Sequence, residues 1–184
     1  MTRLAVYNAS DAQRLDTSSE FETIANTLHK AGVLLERWQT RTTLGDEADH
    51  EQIIDAYRPS IDRLIAEYGF QSVDVVALTP DHPDKTALRQ KFLEEHTHAD
   101  FEVRFFVKGQ GLFYIHPDNR VLAVLCQAGD LISIPAGTKH WFDMGSAPAF
   151  QCIRLFSDAQ GWVAQYTGDP LARRFPTFDQ FVSE

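Results

Sequence analysis

Four residues constrain this chain more than any others. His96, His98 and Glu102 lie in Glu95-His96-Thr97-His98-Ala99-Asp100-Phe101-Glu102-Val103-Arg104, and His140 closes Pro135-Ala136-Gly137-Thr138-Lys139-His140. Imidazole nitrogens plus a carboxylate oxygen are the donors that hold a first-row transition metal. Side chains alternate along a strand, so positions i, i+2 and i+6 share a face. A strand over 96–104 would therefore aim His96, His98, Glu102 and Arg104 into one cavity. His140 would arrive from a partner strand, with room between for two hairpins. A polar outer face of an edge strand is the alternative. It is disfavoured because Val103, Phe105, Phe106 and Val107 are poor solvent-facing material.

A cavity of this kind needs a large core, and 184 residues suffice for a single domain. The reading is one domain over 1–184: helices and accessory strands in 1–94, a metal-binding barrel core in 95–157, and a tail in 158–184 packed on the body. A net charge of −9 with no basic block disfavours nucleic-acid binding. No apolar run approaches the roughly 20 residues of a membrane helix. The N-terminus lacks a signal-peptide core, so the expected compartment is the cytoplasm. Cys126 and Cys152 sit in apolar runs and are expected as buried thiols.

The segments before residue 95 alternate helix and strand. Arg3–Tyr7 reads as a strand. Ser19-x-x-Glu22 reads as a capping box ahead of Phe21, Ile24, Ala25 and Leu28 at helical spacing, with Gly32 as the stop. Val33–Trp38 reads as a strand and 45–51 as a loop. Ile53 to Tyr68 has a helical pattern that Pro59 should kink or divide. Val73–Leu78 is a strand, and Asp84 can cap a helix to Leu93 with Leu88 and Phe92 on its inner face. From residue 96 the period becomes two. Gly109 and Gly111 are expected to break the first long strand; Leu112–Ile115, Val121–Cys126, Leu131–Ile134 and Ala149–Phe156 follow. Many short strands after a helical start predict a mainly β chain, a β-barrel or jelly roll with accessory N-terminal α-helices.

Two motifs then carry a resemblance. His96-x-His98-x3-Glu102-x6-Gly109 and Gly129-x5-Pro135-x-Gly137-x2-His140 resemble the paired motifs of the cupins. Gln90 stands where the general motif has glycine, and Met144 where asparagine is frequent. Lys91–His98, Glu102–Val107, Gly129–Ile132, His140–Gly145 and Ile153–Phe156 are similar to the acireductone dioxygenases of methionine salvage. Tyr57–Gly69 and Gly161-Trp162 extend that likeness over nearly the whole chain. One departure is Phe101, where the family commonly has an acid before the ligand glutamate.

The resemblance implies an oxidoreductase that cleaves acireductone, 1,2-dihydroxy-5-(methylthio)pent-1-en-3-one, with O2. It implies one Fe(II) or Ni(II) per chain, held by His96, His98, Glu102 and His140. Four protein donors on an octahedral metal leave two positions for water or a chelating substrate. The iron form would give 4-methylthio-2-oxobutanoate and formate; the nickel form, 3-methylthiopropionate, formate and carbon monoxide. A structural zinc site is the alternative for the same donors, although such sites are usually closed and sulfur-rich. Arg104 would be catalytic, its buried charge favouring the doubly deprotonated substrate; an ion pair with Glu102 is the alternative. Glu95 is linked to metal incorporation, or is a solvated surface acid. Phe92, Phe142 and Trp162 would line the substrate tail, or are core aromatics. Arg154 has no partner legible in sequence, and His29, His50, His82 and His116 read as solvated. The expected partners are acireductone and O2 for a monomer. Another metal-dependent cupin enzyme, or a non-catalytic cupin that binds a small molecule, are the competing functions.

Overall fold

The computed structural model describes residues 1–40, 44–45, 48–158 and 163–184. In chain order, β1 (Arg3–Asn8) and β2 (Arg14–Ser18) precede α1 (Phe21–Lys30) and β3 (Leu34–Arg37). Then come α2 (His50–Ala56), α3 (Arg58–Tyr68), β4 (Ser72–Leu78) and α4 (Lys85–Leu93). The strand-rich part runs through β5 (His96–Thr97), β6 (Glu102–Ile115), β7 (Arg120–Gln127), β8 (Asp130–Ile134), β9 (His140–Asp143) and β10 (Phe150–Phe156). β11 (Gln165–Tyr166), a 3-10 turn at Pro170–Arg174 and α5 (Phe178–Ser183) follow.

The strands are mainly antiparallel, in two sheets that share β6. Its first half pairs with β8 and β10, in the order β3-β8-β6-β10-β4. Its second half pairs with β7 and β9, in the order β11-β5-β9-β6-β7-β1-β2. The expectation that Gly109 and Gly111 break the strand is corrected: β6 continues, and its partners change there. The register with β10 slips between Gln151 and Cys152. That extra residue inverts parity, as a bulge does. Phe106 faces the space between the sheets before it, and Phe113 and Ile115 after it.

Gly109 is required at this switch. Its φ is +74°, and a Cβ would lie 1.9 Å from the Ala149 carbonyl oxygen. Gly109→Ala is expected to destabilise the protein by about 2 kcal/mol or more, read as a lower midpoint in urea. A midpoint unchanged from wild type would mean that the strand crosses between sheets without this close approach.

Three apolar layers follow from the alternation. Leu4, Val6, Phe106, Phe113, Val124, Ile132, Phe142 and Cys152 fill the space between the sheets, closed at one side by Ile24 and Leu28 of α1. The outward set of the first sheet, Val103, Phe105, Leu131, Ile153 and Leu155, is covered by Ile53, Tyr57, Ile61 and Leu64 of the α2–α3 pair. Phe105 stacks on Trp38 with centroids 4.6 Å apart. The outward set of the second sheet, including Leu112, Tyr114, Val121, Ala123 and Trp141, is covered by Leu171, Phe175 and Phe181. Cys126 and Cys152 are free and buried, as expected.

Local chemistry sets the helix ends. Pro59 divides the long helical pattern at Tyr57 and sits in the first turn of α3, where its missing N–H costs nothing. Gly69 stops α3 in the left-handed conformation, φ +75°. Asp49 and Gln52 cap α2 reciprocally, and Thr177 and Gln180 do the same for α5. The capping box expected at Ser19 and Glu22 does not form. Glu20 takes the N-cap position without a side-chain cap, while Ser18 Oγ accepts from its N–H at 3.2 Å. The loop expected over 45–51 already contains the start of α2 at His50, and residues 46–47 lie outside the described residues.

Candidate metal centre

Three local structures bring the four donor residues together. β5 pairs with β9 through one register contact, His96 opposite His140. β9 pairs with the end of β6, with His140 opposite Ile115. Residues 98–101 leave the strand, and Glu102 opens β6 opposite Ile134 of β8. The single strand expected over 96–104 is therefore interrupted. Asp100 stabilises the break by accepting from the N–H groups of Phe101 and Ser157, each at 2.7 Å. The Gly137 N–H donates to the His98 carbonyl at 2.9 Å, tying the turn before His140 to the turn after His98.

The donor atoms of His96, His98, Glu102 and His140 lie within 4.8 Å of one another. Their exposures are 1%, 5%, 2% and 1%, so water is largely shut out. Each imidazole is oriented through Nδ1. His96 Nδ1 meets the Glu94 carbonyl at 2.6 Å, His98 the Val163 carbonyl at 3.2 Å, and His140 the Thr138 carbonyl at 2.8 Å. A carbonyl only accepts, so each Nδ1 carries the proton and each Nε2 presents a lone pair. Glu102 Oε2 lies 3.0 Å from His98 Nε2 and 2.9 Å from His140 Nε2. Lone pairs facing a carboxylate in a buried site require a proton or a cation between them. The donor set thus fits a divalent transition metal, and the Nδ1 contacts are the outer hydrogen bonds that orient metal-binding histidines.

The electrostatics agree. Burial and the neighbouring His140 lower the His96 pKa to about 4, so its imidazole is neutral at pH 7. Burial works against the Glu102 carboxylate, but Arg104 and the adjoining His140 and His98 rings hold its pKa well below the ordinary value. Burial also lowers the His98 pKa, and the Glu102 contact more than compensates, raising it. Metal binding would place a cation where these Nε2 atoms meet the carboxylate. The thermal midpoint of chelator-treated protein is expected to rise by roughly 5–10 °C at metal 100-fold above its Kd, from about 2.7 kcal/mol of linkage. Calorimetry showing no rise would contradict the reading.

Arg104 adjoins the donors. Its Nε donates to Glu102 Oε1 at 2.9 Å, the ion pair weighed in the sequence. Its guanidinium lies 4.6 Å from the Phe142 ring centroid, 5.6 Å from Phe92 and 5.7 Å from Phe113. Phe142 is 1% exposed and Phe92 half-buried, so both adjoin the charge that adjoins the donors. Trp162 lies outside the described residues. Phe101 packs outward, toward Tyr68 and Phe70.

Other residues depart from expectation. Glu95 is not a solvated acid: it is 1% exposed, pairs with His116 Nδ1 at 2.5 Å and accepts from the Thr167 hydroxyl at 2.9 Å. His116 is correspondingly not solvated. The apolar run Leu112–Ile115 leading directly into it was the available signal. His29 and His50 are exposed, and His82 accepts from the Asp84 N–H at 3.2 Å. Arg154 is paired after all, with Asp74 at 2.8 and 2.5 Å through the β10–β4 register. Val163, which orients His98, has no sequence signal, since a carbonyl 65 residues downstream leaves no mark there.

Known proteins share this arrangement of chain. A solved structure described as acireductone dioxygenase from Bacillus anthracis with cadmium ion in active center superposes with a TM-score of 0.76 at 29% identity, covering 90% of this chain and 98% of that one. The acireductone dioxygenase of Aquifex aeolicus (strain VF5) is 54% identical over 183 residues, covering 100% of both chains. That of Methylococcus capsulatus is 49% identical over 182 residues, 99% of this chain and 98% of the relative. The family model described as ARD/ARD' matches residues 3–164, a span that includes all four donor residues and Arg104, and the chain belongs to the ARD/ARD' family.

Proposed function

We propose that this chain is a metal-dependent dioxygenase that cleaves acireductone with O2 in methionine salvage. The observation that carries the proposal is the buried His96–His98–Glu102–His140 cluster with Arg104 bonded to its one carboxylate. Family membership and full-length relatives near 50% identity support the same reading. His96, His98, Glu102 and His140 would hold the metal. Fe(II) or Ni(II), one per chain, would supply the Lewis-acid and redox chemistry for reaction of the enediol with O2.

The protein's own part is electrostatic. Arg104 is a fixed cation in an apolar, aromatic surround, where charge acts more strongly than in water. It favours the doubly deprotonated enediol over the neutral one, as a nearby positive charge lowers the pKa of an acid. Its bond to Glu102 also keeps that carboxylate ionised and oriented. Phe92 and Phe142 form an apolar wall for the methylthio tail; Trp162, outside the described residues, is assigned the same role on the family resemblance alone. The short distances from both rings to Arg104 support a tail running from the charged end of the substrate across these faces. Glu95 serves metal incorporation; its buried carboxylate one residue before His96 supports that role. The enzyme works as a cytoplasmic monomer, with acireductone and O2 as its partners. Among the described residues no helix is long and apolar enough to cross a membrane.

Product analysis tests the proposal. Apo-protein is reloaded anaerobically with Fe(II) or Ni(II), given acireductone and exposed to O2. Iron should give 4-methylthio-2-oxobutanoate and formate, and nickel 3-methylthiopropionate, formate and carbon monoxide. The same products from both metals would remove the metal-dependent outcome; the uncatalysed product mixture from both would remove the activity.

A further inference from the structure

The apolar wall assigned to the substrate tail depends on a helix that is poorly anchored by packing. α4 carries Phe92, and among its residues, all described, none is fully buried. Leu88 and Phe92 are half-buried and pack against the inter-sheet core. A helix whose apolar side chains are no more than half-buried opens at low cost unless polar contacts fix it.

Two polar contacts do so: the Tyr166 hydroxyl donates to the Lys91 carbonyl at 3.0 Å, and an ion pair, the buried and two-armed one, holds the helix from its other side. Arg89 Nε donates to Asp143 Oδ1 at 2.7 Å, and a second guanidinium nitrogen donates to Oδ2 at 2.9 Å. This is the two-armed geometry that sets direction as well as distance. Asp143 is a rigid anchor. It ends β9, is 1% exposed, and also accepts from the N–H groups of Gly145 at 2.9 Å and Phe178 at 2.8 Å. Its neighbour Phe142 meets Phe92 edge to face, with centroids 6.4 Å apart. On α4, Arg89 and Phe92 are three residues apart and so share a face. The strand that supplies His140 and Phe142 therefore also holds the helix that supplies Phe92.

We propose that Arg89, through Asp143, is a positioning residue that sets the specificity of the site for the substrate's apolar tail. The proposal rests on the acireductone reading given above. Arg89 touches neither the donors nor the enediol end. Its two-armed bond fixes the height of α4, and thereby the distance between the Phe92 ring and the Phe142–Arg104 surface that the methylthio group must fill. Losing the bond should leave metal binding and enediol chemistry in place and remove discrimination by tail length.

The test compares acireductone with 1,2-dihydroxypent-1-en-3-one, the same enediol without the methylthio group, on Fe(II)-loaded enzyme. Wild type should prefer acireductone by about tenfold in kcat/KM, the worth of one or two buried methylene-sized groups. Phe92→Ala and Arg89→Gln should each remove most of that preference, chiefly through the KM for acireductone. The double variant should lose no more than either single one. Arg89→Lys, which keeps charge but has one arm, should fall between wild type and Arg89→Gln, and it replaces the glutamine variant should that one not fold. A general loss of stability would lower both rates together and leave the ratio alone. An iron-loaded Arg89 variant with the wild-type ratio overturns the proposal. So do multiplying effects in the double variant, or a wild type indifferent to the tail. Wild type that turns over neither enediol instead overturns the acireductone reading on which the proposal rests.

Discussion

Glu102→Gln is expected to strip the protein of metal and of oxygen uptake together, lowering each by more than about 100-fold. The side chain keeps its shape and loses its charge. Glu102 is the one carboxylate among the four donors, and its Oε2 faces both His98 Nε2 and His140 Nε2 at about 3 Å. A neutral amide there offers a divalent cation much less. The fold should suffer as well. Arg104 is 3% exposed and bonded to Glu102, so a buried guanidinium loses a charged partner, at a cost of about 3 kcal/mol. A double variant, Glu102→Gln with Arg104→Met, should regain much of that stability and none of the metal. Metal analysis and urea denaturation on the same samples separate the two effects. A Glu102→Gln protein that retains stoichiometric metal would remove this residue from the centre.

Arg104→Ala should behave differently: metal is retained while kcat/KM for acireductone falls by roughly 10²–10³, the usual cost of removing one preorganised charge from a reaction centre. The pH profile should move too. Arg104 is the largest influence lowering the Glu102 pKa. Without it the folded-state pKa rises, and the proton competes with metal at a higher pH. A group with a depressed folded pKa contributes above its unfolded value and is lost as pH falls through the folded one. The acid limb of activity and of metal retention should therefore shift upward in pH. Unchanged turnover in this variant would leave Arg104 as a structural partner of Glu102 only.

Much of the site was legible because its residue types are chemically restrictive. Two histidines and a glutamate in an apolar strand-like segment have few uses other than metal, and His140 after Pro135-x-Gly137 supplied the fourth donor. The four donors converge as strand alternation predicts, but through a different local shape. Residues 98–101 turn away, and sheet pairing of β5 with β9, not parity along one strand, carries His96 to His140. Helices with strong apolar period and clear stops, such as α3 ending at Gly69, were readable for the same reason: local chemistry decides them. β2 was not, since Arg14–Ser18 is almost wholly exposed and has no apolar alternation. In sequence the change of partners at Gly109 resembles a break, because an irregular glycine looks alike in both cases. Pairs distant in sequence, Arg89 with Asp143, Arg154 with Asp74, and Glu95 with His116, had no local signature. Each needs the register of the sheets before its partner is defined.

The claim that one buried centre of three histidines and a glutamate performs the reaction is tested most directly by titrating metal into apo-protein and following oxygen consumption with acireductone. The predicted result is a background rate without metal, a linear rise with added Fe(II), and a plateau at one equivalent per chain. Oxygen consumption by the apo-protein equal to that of the loaded protein, or tight binding of one metal with no rise above the uncatalysed rate, would contradict it.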